Sequence, residues 1–280
     1  MEQKKIWLVT GASKGLGLAL VSKLLQQGYA VAATSRNAAA LEKAVGISSS
    51  DTFLPLEVDL SSGPSVADAV RKTQEKFGRI DVVVNNAGYG IGGAIEELNE
   101  REVAESFEIN VFATIRVIRE VLPLMRAQRA GHIINISSIA GFAGGIGWSV
   151  YAAAKHAVMG LSDVLAADVK EFGIHVTVVA PGAFRTEFLS AGSLVFAEKS
   201  IAEYTAIRAS HARYGAMDGT QIGDPEKAAG VFIALSENPQ PPVHLFLGSD
   251  AFQRAQDKLD LLSEELKTNS AVAHSTDFTH

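Results

Sequence analysis

The chain has 280 residues, 47% of them hydrophobic, and a formal net charge of −6. That length and apolar content support a large core and exclude a disordered chain, and an acidic balance without any basic block argues against nucleic acid or an anionic membrane surface as partner. There is no cysteine, so disulfides, thiol nucleophiles and thiolate metal sites are excluded; the seven histidines show no metal-ligand spacing, and no metal is expected.

The chain opens MEQKKIWLVTGAS, with charges but no apolar core long enough for a signal peptide, and no run approaches the length of a membrane span. The expectation is a soluble cytoplasmic protein. Short apolar runs read as strands at 6–10, 30–35, 52–58, 81–85, 132–137, 175–180 and 243–247. Several are apolar at consecutive positions, as strands covered on both faces should be. Helical patterns lie between them at 16–28, 38–45, 63–77, 99–128, 149–172 and 225–237, with a further amphipathic helix at about 250–267. This alternation predicts an α/β fold: a doubly wound parallel sheet of about seven strands with helices on both faces. No linker divides the chain, so residues 1–268 read as one domain and the polar, aperiodic stretch 269–280 as a flexible tail. One connection, about 185–222, is long and weakly patterned; following a strand's carboxyl end, it reads as a lid.

Two local patterns carry chemistry. The first is TGASKGLG at 10–17, between the first strand and the first helix. Gly11, Gly15 and Gly17 let backbone approach a pyrophosphate, and the helix N-terminus offers free N–H groups to phosphate oxygens. The second is SVYAAAK, which puts Tyr151 and Lys155 one turn apart on one helix face. That spacing alone is weak, since a surface Tyr beside a surface Lys satisfies it. Its functional reading is acid–base chemistry: a phenol titrates near 10, and a fixed positive charge nearby favours the phenolate.

These two patterns, NNAG at 85–88, ISS at 136–138 and PGAFRT at 181–186 stand in an order and at separations that resemble the short-chain dehydrogenases/reductases, over about residues 5–248. The resemblance implies a Rossmann fold and a nicotinamide cofactor. It makes Tyr151 the catalytic acid/base and Lys155 the residue that lowers the Tyr151 pKa and binds the nicotinamide ribose. Ser138 would polarise the substrate oxygen, with Ser137 as the competing neighbour, because successive side chains on an extended segment point oppositely. Asn110 would hold a water linking Lys155 to solvent. Gly11, Ser13, Lys14, Gly15, Leu16 and Gly17 fall in the pyrophosphate turn. Asp59 and Leu60, with Asn86, Ala87 and Gly88, fall along the adenosine end; Asp59 either binds adenine or, like Ser61, caps the next helix. Pro181 and Gly182 shape a strand end, and Thr186 reaches the carboxamide or a phosphate.

An acid at the end of the second strand would bind the ribose 2′-OH of NAD. Here Ser35 stands in that place, Arg36 follows, and Lys14 lies in the glycine turn, a set suited to a 2′-phosphate and hence to NADP(H). Tyr89, Phe142, Trp148 and Phe184 are candidate pocket residues, joined by Gly141, Ala143 and the lid. With no evident charged anchor among them, the expected substrate is a largely hydrophobic ketone or secondary alcohol. The leading reading is an NADPH-dependent carbonyl reductase, a homodimer or homotetramer of the 17β-hydroxysteroid-dehydrogenase-like kind. The alternatives are a 3-oxoacyl-type reductase and a catalytically silent cofactor-binding regulator.

Overall fold

The computed structural model describes residues 4–190 and 192–278. Strand β1 (Ile6–Val9) leads into α1 (Gly15–Gln26), β2 (Ala30–Ser35), α2 (Ala38–Val45), β3 (Phe53–Glu57), α3 (Gly63–Phe77) and β4 (Val82–Asn85). Next come β5 (Gly90–Gly92), α4 (Glu100–Phe107), a π-helical stretch (Glu108–Phe112), α5 (Ala113–Gln128), β6 (Gly131–Ile136), α6 (Ser149–Asp168) and β7 (Ile174–Pro181). The chain closes with β8 (Leu194–Phe196), α7 (Thr205–Ala216), α8 (Pro225–Glu237), β9 (His244–Leu247), α9 (Ser249–Thr268) and α10 (Ser270–His274).

The main sheet has seven strands in the order β3-β2-β1-β4-β6-β7-β9, and every pairing is parallel. Its order reverses between β1 and β4, the switch point where such sheets open a crevice at their carboxyl ends. Side chains alternate across a strand, so the consecutive apolar residues of β1 serve two cores. Trp7 and Val9 pack with Leu20 and Leu24 of α1 and Phe232 of α8. Leu8 packs on the other face with Val66 of α3, Val117 and Val121 of α5, and Leu165 of α6. The expected single-domain α/β architecture is what forms.

Two sequence expectations change, and the lid connection carries a strand that the sequence did not show. The helix expected over 99–128 is interrupted: at 108–112 the chain widens into a π turn, where Asn110 Nδ2 donates to the Ser106 carbonyl at 2.9 Å and to the Tyr89 carbonyl at 3.0 Å. An inserted π turn aims one side chain off the regular helical face, and such turns often sit at functional sites. The connection after β7 is partly ordered: β8 pairs with β5 in a two-stranded parallel sheet, and α7 follows. Neither strand was readable, because three residues are too few to show a period. Within the polar carboxyl-terminal stretch, Ser270–His274 form a short exposed helix.

Candidate active site

A cleft of about 1040 Å³ opens where the parallel strands end. Its walls come from the residues just past β1, β2, β3, β4, β6, β7 and β9, closed over by the segment carrying β8 and α7. Tyr151, Lys155, Ser138, Tyr89, Trp148 and Phe184 all line it.

The catalytic candidates converge from β6, its following turn and α6. Ser137 and Ser138 do point oppositely. The Ser137 hydroxyl donates to the Lys155 carbonyl at 2.8 Å and is buried, locking the strand end to α6. The Ser138 side chain stands beside Tyr151 in the cleft, and its Oγ accepts from Ala140 N at 3.1 Å. Lys155 is 4% exposed; its Nζ donates to the Ile136 carbonyl at 3.1 Å and lies 6.0 Å from the centre of the Tyr151 ring. Burial holds that ammonium down at about 8.

The downward pull of Lys155 on the phenol, expected from the sequence, does not set the state of Tyr151. Burial pushes Tyr151 up to about 12; the neighbouring Ser138 hydroxyl opposes that rise and the Tyr214 hydroxyl adds to it. Taking a phenolate out of water costs more than a hydroxyl partner returns.

Asn110 lies behind the cleft, 1% exposed and outside its lining. Its Nδ2 is bound to the Ser106 and Tyr89 carbonyls, and its Oδ1 accepts from Tyr89 N at 3.3 Å. It meets Lys155 across Gly88, where a Cβ would fall 2.6 Å from Asn110 Oδ1 and 3.0 Å from Lys155 Nζ. Glycine at 88 thus admits both polar groups behind the site.

The glycine turn is built for close approach. Gly11 has φ +64°, and a Cβ there would fall 2.7 Å from Ala87 Cα. Gly17 is buried rather than facing the cleft: its Cβ would meet Asn86 Nδ2 at 2.5 Å, and that amide ties the turn to the end of β4 through the Thr10 and Gly11 carbonyls. Ser13, Lys14, Gly15 and Leu16 do face the cleft. Lys14 stands at the N-cap of α1 without a side-chain cap, which leaves the first-turn N–H groups to the cleft. Thr186 lies over Gly15, 3.7 Å from the position of its absent Cβ.

At the other end of the crevice, Ser35 and Arg36 line the cleft, Ser35 half-buried and Arg36 exposed. Leu60, Ala87, Asn86 and Gly88 line it as well. Asp59 is exposed, with Oδ1 accepting from Ser61 N at 2.9 Å and Ser61 Oγ at 2.6 Å, and these bonds hold its carboxyl below the usual range. Neither Asp59 nor Ser61 caps α3; Ser62 does, accepting from Ser65 N at 3.4 Å.

Two pocket expectations are corrected. Phe142, with Gly141 and Ala143, lies outside the lining; the turn after Ser138 sends Phe142 against Phe246 of β9, ring centres 5.1 Å apart, beneath Ala251 and Ala255 of α9. Nor is the cleft free of charge: Arg101, Glu102, Glu105 and Glu198 stand along one wall, Asp250 and Arg254 along another. These residues sit on α4, the lid and α9, and only folding brings them to Tyr151. Tyr214 of α7 also lines the cleft, with its ring 5.0 Å from Trp148. Pro181 and Gly182 line the strand end, and a Cβ on Gly182 would fall 2.1 Å from Asp250 Oδ1, so glycine there makes room for that carboxylate. No signal in the sequence marked Tyr214, Gln221 or Asp250, which lie in or beyond the unpatterned connection.

The family model for short chain dehydrogenase matches residues 5–193. Oxidoreductase BOA17 of Botryotinia fuckeliana (strain B05.10) is 37% identical over 260 residues, covering 92% of this chain and 94% of that protein. Human retinol dehydrogenase 8 is 38% identical over 203 residues, covering 70% of this chain and 63% of that protein. The crystal structure of a short-chain dehydrogenase from Streptomyces avermitilis superposes with a TM-score of 0.91 at 36% identity, covering 98% of this chain and 100% of that one. With the parallel sheet, the glycine turn and the Ser138, Tyr151 and Lys155 cluster in one cleft, these matches place the chain in the short-chain dehydrogenase family, as an oxidoreductase acting on CH–OH groups.

Proposed function

We propose that the protein is an NADPH-dependent carbonyl reductase, running in reverse as an alcohol dehydrogenase, on a largely hydrophobic ketone or secondary alcohol. The observation that carries this reading is the Ser138–Tyr151 hydroxyl pair beside buried Lys155 inside one cleft. The uncapped first turn of α1 and the close-approach glycines fit a dinucleotide. A nicotinamide bound there supplies the hydride.

The chain's own residues supply the proton. Tyr151 keeps its hydrogen on Oη across the neutral range, because burial holds the phenol near 12. A carbonyl oxygen that gains negative charge becomes basic enough to take that proton. Ser138 Oγ offers a second hydroxyl to the same oxygen, so two donors meet the charge where it develops. Lys155 is pinned by the Ile136 carbonyl, and its charge favours the phenolate left behind. Phe184, Phe188, Leu189, Phe196 and Met217 give the cleft its apolar surface, and the retinol dehydrogenase likeness supports an apolar alcohol or carbonyl substrate. The helix α9 beyond the last sheet strand is in keeping with the 17β-hydroxysteroid-dehydrogenase-like subgroup.

NADP(H) is proposed from Lys14 and Arg36, with Ser35 where an acid would favour NAD. A charge-assisted contact to Arg is worth about 1.5–3 kcal/mol. Ketones assayed with NADPH and NADH test the reading: kcat/KM should favour NADPH at least ~10-fold, with the gap closing as salt rises. The double variant Ser35→Asp with Arg36→Ala should reverse the preference, since aspartate accepts from a 2′-OH and repels a 2′-phosphate. Equal use of both cofactors by the unaltered protein overturns the NADP assignment, and failure to oxidise either cofactor with any ketone or aldehyde overturns the activity.

A further inference from the structure

Gln221 follows α7 and is 3% exposed, yet it lines the cleft, and neither its Nε2 nor its Oε1 has a hydrogen-bond partner among the described residues. Buried side-chain amides in folded proteins nearly always find partners, and an orphaned one lowers stability. A second orphan lies near the same backbone. Asp250 spends Oδ2 on Ala183 N at 2.8 Å, while Oδ1 is buried without a partner. Gly182 and Gly248 clear the space for it: a Cβ would fall 2.1 Å from Oδ1 at the first and 2.8 Å at the second.

Both groups frame the segment leaving β7. Gly223, two residues after Gln221, bridges to Phe184, and the Gln221 carbonyl accepts from Arg185 Nε at 3.2 Å. None of these side chains belongs to the hydroxyl pair that handles the reacting oxygen. Their hydrogen-bonding capacity is specific: Gln221 offers two N–H groups and one acceptor oxygen, and Asp250 offers one further acceptor. An apolar ligand leaves all of these unanswered. A ketone or ether answers only the Gln221 N–H groups, and an ammonium only the acceptors. A hydroxyl or a primary carboxamide answers both kinds.

We propose that Gln221, assisted by Asp250, is a polar anchor in the cleft that binds a ligand group able to donate and accept at once, of the hydroxyl or primary carboxamide kind. The inference rests on reading the cleft as a carbonyl-reductase site and adds to it. The substrate is an apolar ketone with one further polar group, or else the anchor holds the carboxamide of the cofactor. A site built around buried hydrogen-bonding groups discriminates strongly against ligands that leave those groups unpaired.

The test is Gln221→Leu, which removes both orphaned atoms at similar volume. Because the amide has no partner in the protein, the variant should melt no lower than the unaltered chain; an amide that merely supports the fold would lower the melting temperature. Two ketones of similar shape, 4-acetylbenzamide and 4-isopropylacetophenone, are then compared. For a substrate-borne group, the unaltered protein should favour the carboxamide ketone about 10-fold in kcat/KM, and the variant should lose that preference through KM. For a cofactor-borne group, NADPH affinity by fluorescence titration should fall about 10-fold in the variant, while the acetylpyridine analogue, whose ketone answers only the Gln221 N–H groups, should bind the unaltered protein less tightly than NADPH and lose less in the variant. A variant that melts several degrees lower, or that keeps both the ketone preference and the cofactor affinity unchanged, overturns the proposal. Should neither ketone be reduced by the unaltered protein, the activity reading fails by itself, and the melting and titration measurements still decide for or against the anchor.

Discussion

Tyr151 and Lys155 are both buried, and burial moves their protons in opposite directions: the phenol holds on to its hydrogen more tightly and the ammonium less. Tyr151→Phe keeps the ring and removes the hydrogen, so cofactor affinity should persist while kcat falls by roughly 10²–10⁴-fold or more. Near-normal turnover of any ketone by that variant contradicts the assignment. Lys155 makes a finer prediction. Its folded pKa of about 8 lies below the ordinary 10.5, so the unfolded chain binds the extra proton between those values. Stability should therefore rise as pH rises through that window, and below it the buried cation costs the fold about 3 kcal/mol. Lys155→Met removes the charge at similar length. The variant should melt no lower than the parent at pH 7, yet lose both cofactor affinity and rate. A large drop in melting temperature would mean that the bond to the Ile136 carbonyl outweighs the burial cost.

At the scale of elements, the lid is held by carboxylates from the turn before α4 and from the first turn of α4. Glu97 is buried; its Oε2 accepts from Ala94 N at 2.8 Å, its Oε1 accepts from Ile201 N at 2.6 Å, and it also pairs with Arg208 of α7. Glu102 accepts from Glu198 N at 2.9 Å while closing the capping box of α4 with Asn99. These bonds hold the Glu97 carboxyl at about 2, with the two backbone N–H groups as the largest causes. A depressed carboxyl stabilises above its ordinary pKa of 4.5, and that contribution is lost as pH falls from there towards 2. Glu97→Gln keeps the shape without the charge. Limited proteolysis within residues 192–205 should quicken severalfold in this variant at neutral pH, and in the parent as pH falls below 4.5, before the sheet unfolds. Equal protection in both proteins would show that β5–β8 pairing alone holds the lid.

Across the whole molecule, the long helices leave apolar side chains without cover. Phe112, in the π turn before α5, is 47% exposed, and Val164 of α6 is 62% exposed, although both helices already bury another face against the sheet. A helix that is apolar on two faces needs two partners, and a closed two-fold pairing supplies the second. Light scattering at micromolar concentration should report a dimer or tetramer, and Val164→Glu should lower the mass to that of a smaller species. A monomeric parent would show that solvent tolerates these residues.

How much of this was legible follows from range. Strand β2 and helices α2, α3 and α8 fall on the expected residues, because their periodicity, caps and flanking glycines are local signals. The glycine turn and the Ser138, Tyr151 and Lys155 cluster were readable for a related reason: each is a short motif on one element or its edge. Folding decided what depends on contacts between distant segments. The π turn forms where Asn110 reaches back to Ser106 and across to Tyr89. Phe142 leaves the pocket for Phe246, a partner 104 positions along the numbering. Glu97 finds its partners at 201 and 208, and Gln221 and Asp250 reach the cleft from segments with no period to betray them. The sequence by itself determined the layers of the fold and the identity of the reacting groups, because backbone geometry and side-chain spacing act over a few residues. The tertiary structure alone decided the protonation of Tyr151, the charge on the cleft walls and the hold on the lid, because burial and electrostatics depend on everything packed around a group.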